Sequence, residues 1–231
     1  MEVRGERECQ SCGSQWSYYE TDEITCPNCG SVRSVSLDEP TTHTARDVTL
    51  DLTAIRNDIS AVSVETLADE ASETVRSYLR QVGFVKAGEL QPLEETVVAA
   101  AELRRVAVTL GRVMRVEDNE ELYFLELLKL ADQNERPNPE DVPETLYSER
   151  GLGVAASIDM YTTDIGRVYE QRDTDVDRVL SSVRSRRKRI EALDGEVEPE
   201  EAEQLLRAVR DVSAYLRESD ETALARALER F

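Results

Sequence analysis

All four cysteines of the chain fall in one short run, 9-CQSCGSQWSYYETDEITCPNCGS-31, as two C-x-x-C pairs with thirteen residues between them. No other feature restricts folding as tightly. Each pair is spaced for a knuckle, a tight turn that aims two sulfurs at one point. Gly13 and Gly30 directly follow the pairs, where a positive φ lets backbone N–H groups face sulfur. Pro27 stiffens the second turn. Four thiolates at this spacing make a closed tetrahedral site, the pattern of a structural metal. Cys9, Cys12, Cys26 and Cys29 are therefore the candidate ligands of a single ion. Two disulfides are the other use for four cysteines, and both the doubled knuckle and a reducing compartment argue against them.

A module of about 30 residues cannot build a core that holds it together alone, so metal binding and folding are coupled. Thiolate tetrahedra suit zinc and iron alike. One structural zinc is the expected cofactor, with iron as the alternative. The pattern around the knuckles predicts a small β-rich ribbon. Gln15–Tyr19 and Glu23–Thr25 pair around a Thr21–Asp22 turn, and Ser31–Leu37 supplies a third strand.

The run 4-RGERECQSCGSQWSYYETDEITCPNCGS-31 resembles the zinc ribbon that opens transcription factor B, with the four cysteines matching the ribbon ligands one for one. It is more similar still to an uncharacterised haloarchaeal family that carries this ribbon at its N-terminus and a helical remainder. That resemblance implies a compartment and a metal, not a reaction. The helical part shows no cyclin-like repeat, so promoter binding is not carried over. Knuckles reading C-x-x-C-G and C-P-x-C-G also occur in rubredoxin-like domains, which rubrerythrin-type proteins join to a helical bundle. Such bundles hold a di-iron site on Glu-x-x-His motifs. This chain has one histidine, His43, and no Glu-x-x-His, so the di-iron reading fails and a lone iron–thiolate redox centre is the form that stays open.

The charge balance bears on partners. There are 28 basic and 48 acidic residues among 231, a net charge of −20. Lysine occurs only at 86, 129 and 188, and the acid is spread along the whole chain. Such a surface stays hydrated where salt screens its self-repulsion, which is the solution of a halophile. It also opposes direct contact with nucleic acid. No apolar run reaches the roughly 18 residues of a membrane span. The opening MEVRGERECQ has no apolar stretch of a signal peptide. A cytoplasmic protein is expected.

Residues 1–37 read as the ribbon, 38–47 as a polar linker containing Pro40 and an exposed His43, and 48–231 as a helical domain. Within it, Ser63 caps a helix closing near Gly83, and Leu93–Met114 forms another. A capping box of Asp118 and Glu121 opens 122-LYFLELLKL-130, apolar nearly all round and so expected at the centre of the core. Residues 133–143 carry three prolines and read as a surface loop. Apolar spacing from Val154 to Ile190 predicts one helix of about 55 Å. Pro199 sits at the first position of the next, and Ser219 caps the last. The fold class is mainly α: a small β ribbon followed by an antiparallel helical bundle.

Two groups of residues are candidate partner contacts. Trp16, Tyr18 and Tyr19 follow the first knuckle and offer either an aromatic platform or the roof of the ribbon core, the second being favoured. Arg184, Arg186, Arg187, Lys188 and Arg189 form the one dense basic cluster, read as a phosphate contact or, preferably, a solvated helix end. Adjacent acid pairs such as Glu94–Glu95 follow from composition, and no phosphate loop, dinucleotide fingerprint or nucleophile elbow occurs. The function expected is a non-enzymatic adaptor or regulator contacting a protein, or a nucleic acid, in transcription or RNA-related work. No membrane and no small-molecule substrate is inferred.

Overall fold

A computed structural model describes residues 2–113 and 115–231. The chain opens with short antiparallel strands and continues as helices, as the hydrophobic periods require. Three strands form the ribbon sheet: β2 (Glu6–Cys9) lies between β3 (Gln15–Ser17) and β4 (Ser34–Ser36). Strand β1 (Glu2–Val3) pairs with β5 (Thr41–Thr42). The expected pairing of 15–19 with 23–25 does not form. The first knuckle already reverses the chain, so β3 folds back on β2, and Tyr18–Thr21 closes into one helical turn, α1.

The segment 38–47 is not a free tether. The amides of Thr44 and Ala45 donate to the Val85 carbonyl at 2.8 and 2.9 Å, and Gly88 donates to Thr42 at 2.8 Å. It runs as a strap along a hairpin of β6 (Val85–Lys86) and β7 (Glu89–Leu90). His43, expected to be exposed, is 6% exposed. Gly83 has no room for a side chain, since a Cβ there would stand 2.2 Å from the Thr44 carbonyl oxygen.

The helices are α2 (Thr53–Asn57), α3 (Val64–Leu79), α4 (Glu95–Leu110), α5 (Asp118–Leu130), α6 (Tyr147–Val168), α7 (Thr174–Ala192), α8 (Pro199–Glu218) and α9 (Glu221–Glu229). The Ser63 cap on α3 forms, its hydroxyl accepting from Thr66 N at 3.4 Å. The Leu93–Met114 helix ends at Leu110, and Met114 lies outside the described residues. The capping box of α5 is one residue earlier than expected, Glu117 with Glu120. The central helix is α4 rather than α5. Val97, Val98, Leu103, Val106 and Leu110 are buried around it, whereas Leu122 of α5 is exposed. Small side chains at Ala99, Ala100 and Ala107 let α3 and α6 approach from either side.

Gly151 and Gly153 lie inside α6 rather than ahead of it. A Cβ on Gly153 would stand 2.8 Å from the Glu102 Cα, so this glycine permits the close α4–α6 crossing. The single long helix is broken. Arg172 donates to the Tyr169 carbonyl at 2.5 Å and closes α6, and Asp173 then caps α7 through the amides of Asp175 and Val176. Pro199 opens α8 as expected. Ser219 ends α8 with φ 58°, and Asp220 caps α9 in its place. Among the described residues, no helix is long and apolar enough to cross a membrane.

Candidate metal centre

Each knuckle is held by the same pair of backbone hydrogen bonds. Gly13 donates to the Cys9 carbonyl at 2.9 Å and Cys9 donates to Ser14 at 2.8 Å. Gly30 donates to Cys26 at 2.8 Å and Cys26 donates to Ser31 at 2.9 Å. Both glycines have positive φ, 74° and 69°, which the turn demands. The repeat shows that the local spacing, not distant packing, dictates the two turns.

The knuckles face each other and bring the four sulfurs within 4.8 Å of one another, close enough to hold a metal ion. Cys9 and Cys29 sulfurs are 3.6 Å apart, and those of Cys12 and Cys26 are 3.7 Å apart. A tetrahedron with metal–sulfur bonds of about 2.3 Å has edges of about 3.8 Å, so the donor set fits one thiolate-bound ion. No disulfide joins them. Cys9 and Cys26 are buried, while Cys12 and Cys29 face outward.

Polar neighbours divide the thiols. The Ser14 hydroxyl and amide hold Cys12 down at about 6. Burial would raise Cys9, but the amides of Ser11 and Cys12 outweigh it and lower the thiol. The Ser31 amide favours a Cys29 thiolate, yet the crowding sulfurs of Cys12 and Cys9 push it up to about 12. Thiolates this close repel, and a bound cation is what lets all four ionise together.

Trp16 is 7% exposed, and its indole donates to the Glu23 carbonyl at 2.9 Å. It packs with Cys9 and Cys26 in the core of the ribbon. Tyr19 is half-buried, with its hydroxyl against the Val3 carbonyl, Asp38 and Thr41 at 2.8 to 2.9 Å. Its ring fills the space above Gly5, where a Cβ would stand 2.3 Å away. Tyr18 and Tyr19 flank His43, with ring centroids 5.9 and 5.1 Å from it.

The basic cluster on α7 is dispersed. Arg187 pairs with Asp159 at 3.1 Å and Glu191 at 2.6 Å, Arg189 pairs with Glu201, and Arg186 lies 4.4 Å over the Phe231 ring. Arg184 and Lys188 are exposed on the same helix.

One cluster escaped the sequence reading. Arg150 donates to Glu102 at 3.0 Å and Glu203 at 3.0 Å; Arg136 donates to Glu102 at 3.1 Å, Glu203 at 2.9 Å and Glu95 at 2.6 Å. Arg210 reaches Glu95 at 2.7 Å, and the Tyr123 hydroxyl donates to Glu102. The expected surface loop 133–143 thus delivers a side chain, Arg136, that is only 3% exposed. Burial would lower both Arg136 and Arg150, but the facing glutamates, Glu102 foremost, raise them instead. Burial opposes a Glu95 carboxylate too, and Arg136 and Arg210 overcome it. The network ties α4, α5, α6 and α8, and its charges cancel. Glu102 lies four residues from Val98 and from Val106, and a glutamate on a buried stripe was the signal.

The chain belongs to a family of unknown function, DUF7117, whose model matches residues 1–231. No curated protein matches it, and no solved structure does.

Proposed function

Starting from membership in a family without an assigned role, we propose that this protein is a non-enzymatic adaptor. One zinc ion folds residues 1–37 into a ribbon, and the ribbon presents a rigid β-surface to a protein partner in transcription or RNA-related work. The closed donor set carries this reading: four converging thiolates fill a tetrahedron and leave no position for a substrate. Zinc suits a site whose task is to fold a module with so small a core. A nucleic-acid partner is disfavoured by the net charge of −20 and by the carboxylates that pair with Arg187 and Arg189. The same distributed acid fits a saline cytoplasm.

Cys26→Ser in the full chain tests this. It should abolish stoichiometric zinc and capture of the partner from host extract at high salt, while far-ultraviolet circular dichroism keeps its helical signal. A variant that loses its metal and still captures the same partner would contradict the reading. So would a native protein that carries iron with a visible charge-transfer band.

A further inference from the structure

Strand β4 is an open edge. Gln10 donates to the Arg33 carbonyl at 3.0 Å and Leu37 donates to Glu6 at 2.8 Å, with Glu8 opposite Val35 between them. Antiparallel bonding alternates, so residues 33, 35 and 37 turn their peptide groups to β2, and Ser34 and Ser36 turn theirs outward. Among the described residues no strand pairs with that outer side. Ser34-Val35-Ser36 is short and follows the exposed Arg33, but it carries no proline or charge of its own and no bulge interrupts its register with β2. The flanking side chains are apolar and bare, with Val32 72%, Val35 41% and Leu37 53% exposed. In so small a module this is costly surface to leave open.

We propose that the outer edge of β4 accepts an extended segment of a partner protein as a fourth strand of the ribbon sheet. This rests on the adaptor reading and names the chemistry of the partner. Backbone bonds to Ser34 and Ser36 hold the segment, and alternate side chains of the segment land beside Val35 and Leu37. Those alternate positions are apolar, and they are joined by basic residues. The ribbon segment as a whole is acidic and draws a basic partner: residues 1–40 hold eight acidic residues (Glu2, Glu6, Glu8, Glu20, Asp22, Glu23, Asp38, Glu39) against Arg4, Arg7 and Arg33. A second copy of this chain is the poorer occupant. Each molecule carries a net charge of −20, so two copies repel one another as they approach.

The peptide groups of Ser34 and Ser36 make the test specific. Proline at 36 removes an outward N–H and leaves the bonds to β2 intact. The zinc-loaded full chain is titrated with a synthetic peptide that alternates lysine and valine, and amide exchange is followed by nuclear magnetic resonance. The amides of Ser34 and Ser36 should become protected, a glutamate–valine peptide should not protect them, and Ser36→Pro should weaken binding about tenfold while Ser36→Ala stays near wild type. Unperturbed amides at 34 and 36, or wild-type affinity in Ser36→Pro, would overturn the assignment. Protection without peptide that rises with protein concentration would give the edge to a second copy and overturn it too. In host extract, equal capture of one protein by wild type and Ser36→Pro defeats the edge and spares the adaptor reading. Capture of nothing by the wild type defeats both.

Discussion

Glu102 stands on a stripe of α4 between Val98 and Val106 and is fully buried. Its carboxylate answers two guanidiniums and a phenol at once, so its removal strands Arg136 and Arg150, both almost fully buried. Breaking one partner out of a buried ion network costs about 3–5 kcal/mol, because the remaining charges keep their desolvation penalty. Glu102→Ala should therefore lower unfolding stability by about that much in urea titration, with zinc content unchanged. A loss below about 1 kcal/mol would mean that the network is no more than an exposed ion pair in effect. The residue was hard to read in the sequence because 48 carboxylates hide one that is buried. The cysteines had no such camouflage. Four residues of a reactive type at a fixed spacing carry their own geometry, and the knuckle hydrogen bonds are all local.

At the scale of elements, the strap 38–47 joins the ribbon to the helices, and His43 is its buried side chain. The Ala87 amide donates to His43 Nδ1 at 3.2 Å, and Nε2 is buried without a partner among the described residues. Tyr18 and Tyr19 face the ring from α1, Asp22 lies beyond them, and Lys86 approaches from the hairpin. Burial depresses the imidazole, the Asp22 field opposes this, and Lys86 adds to it. A neutral ring is thus favoured in the folded state. The unfolded chain binds the proton more readily, so this contribution is complete above an ordinary histidine value near 6.5 and is lost as pH falls from there through the folded value. Protonation also turns Nδ1 into a donor and breaks the Ala87 bond. Thermal melting between about pH 6.5 and 5.5 should show wild type losing stability that His43→Phe does not lose. Parallel profiles for the two proteins would exclude the histidine. The sequence gives no warning of this packing. A polar run without period reads as linker, and the β6–β7 hairpin that receives it turns on Ala87 and Gly88 with φ of 51° and 85°, where asparagine and glycine would have announced the turn.

For the molecule as a whole, the division into ribbon and helices was legible because the periods change from two to between three and four. The internal order of the helices was less so. Alanine-rich α4 takes the centre because small side chains permit close crossings, whereas the near-continuous run of large apolar residues at 122–130 points to α5. The break between α6 and α7 depends on Asp173 as a cap and on Arg172, two polar residues in a stretch whose apolar spacing resumes on the far side. The body so formed holds the strap, the strap holds the ribbon, and on the proposed reading the ribbon depends on one bound ion. Native mass spectrometry of the full chain purified from its host, with elemental analysis, tests that dependence most directly. One zinc per chain is the result required, with all four cysteines free after the metal is removed in acid. Iron in that place, or a metal-free chain whose mass shows the cysteines oxidised in pairs, would contradict it.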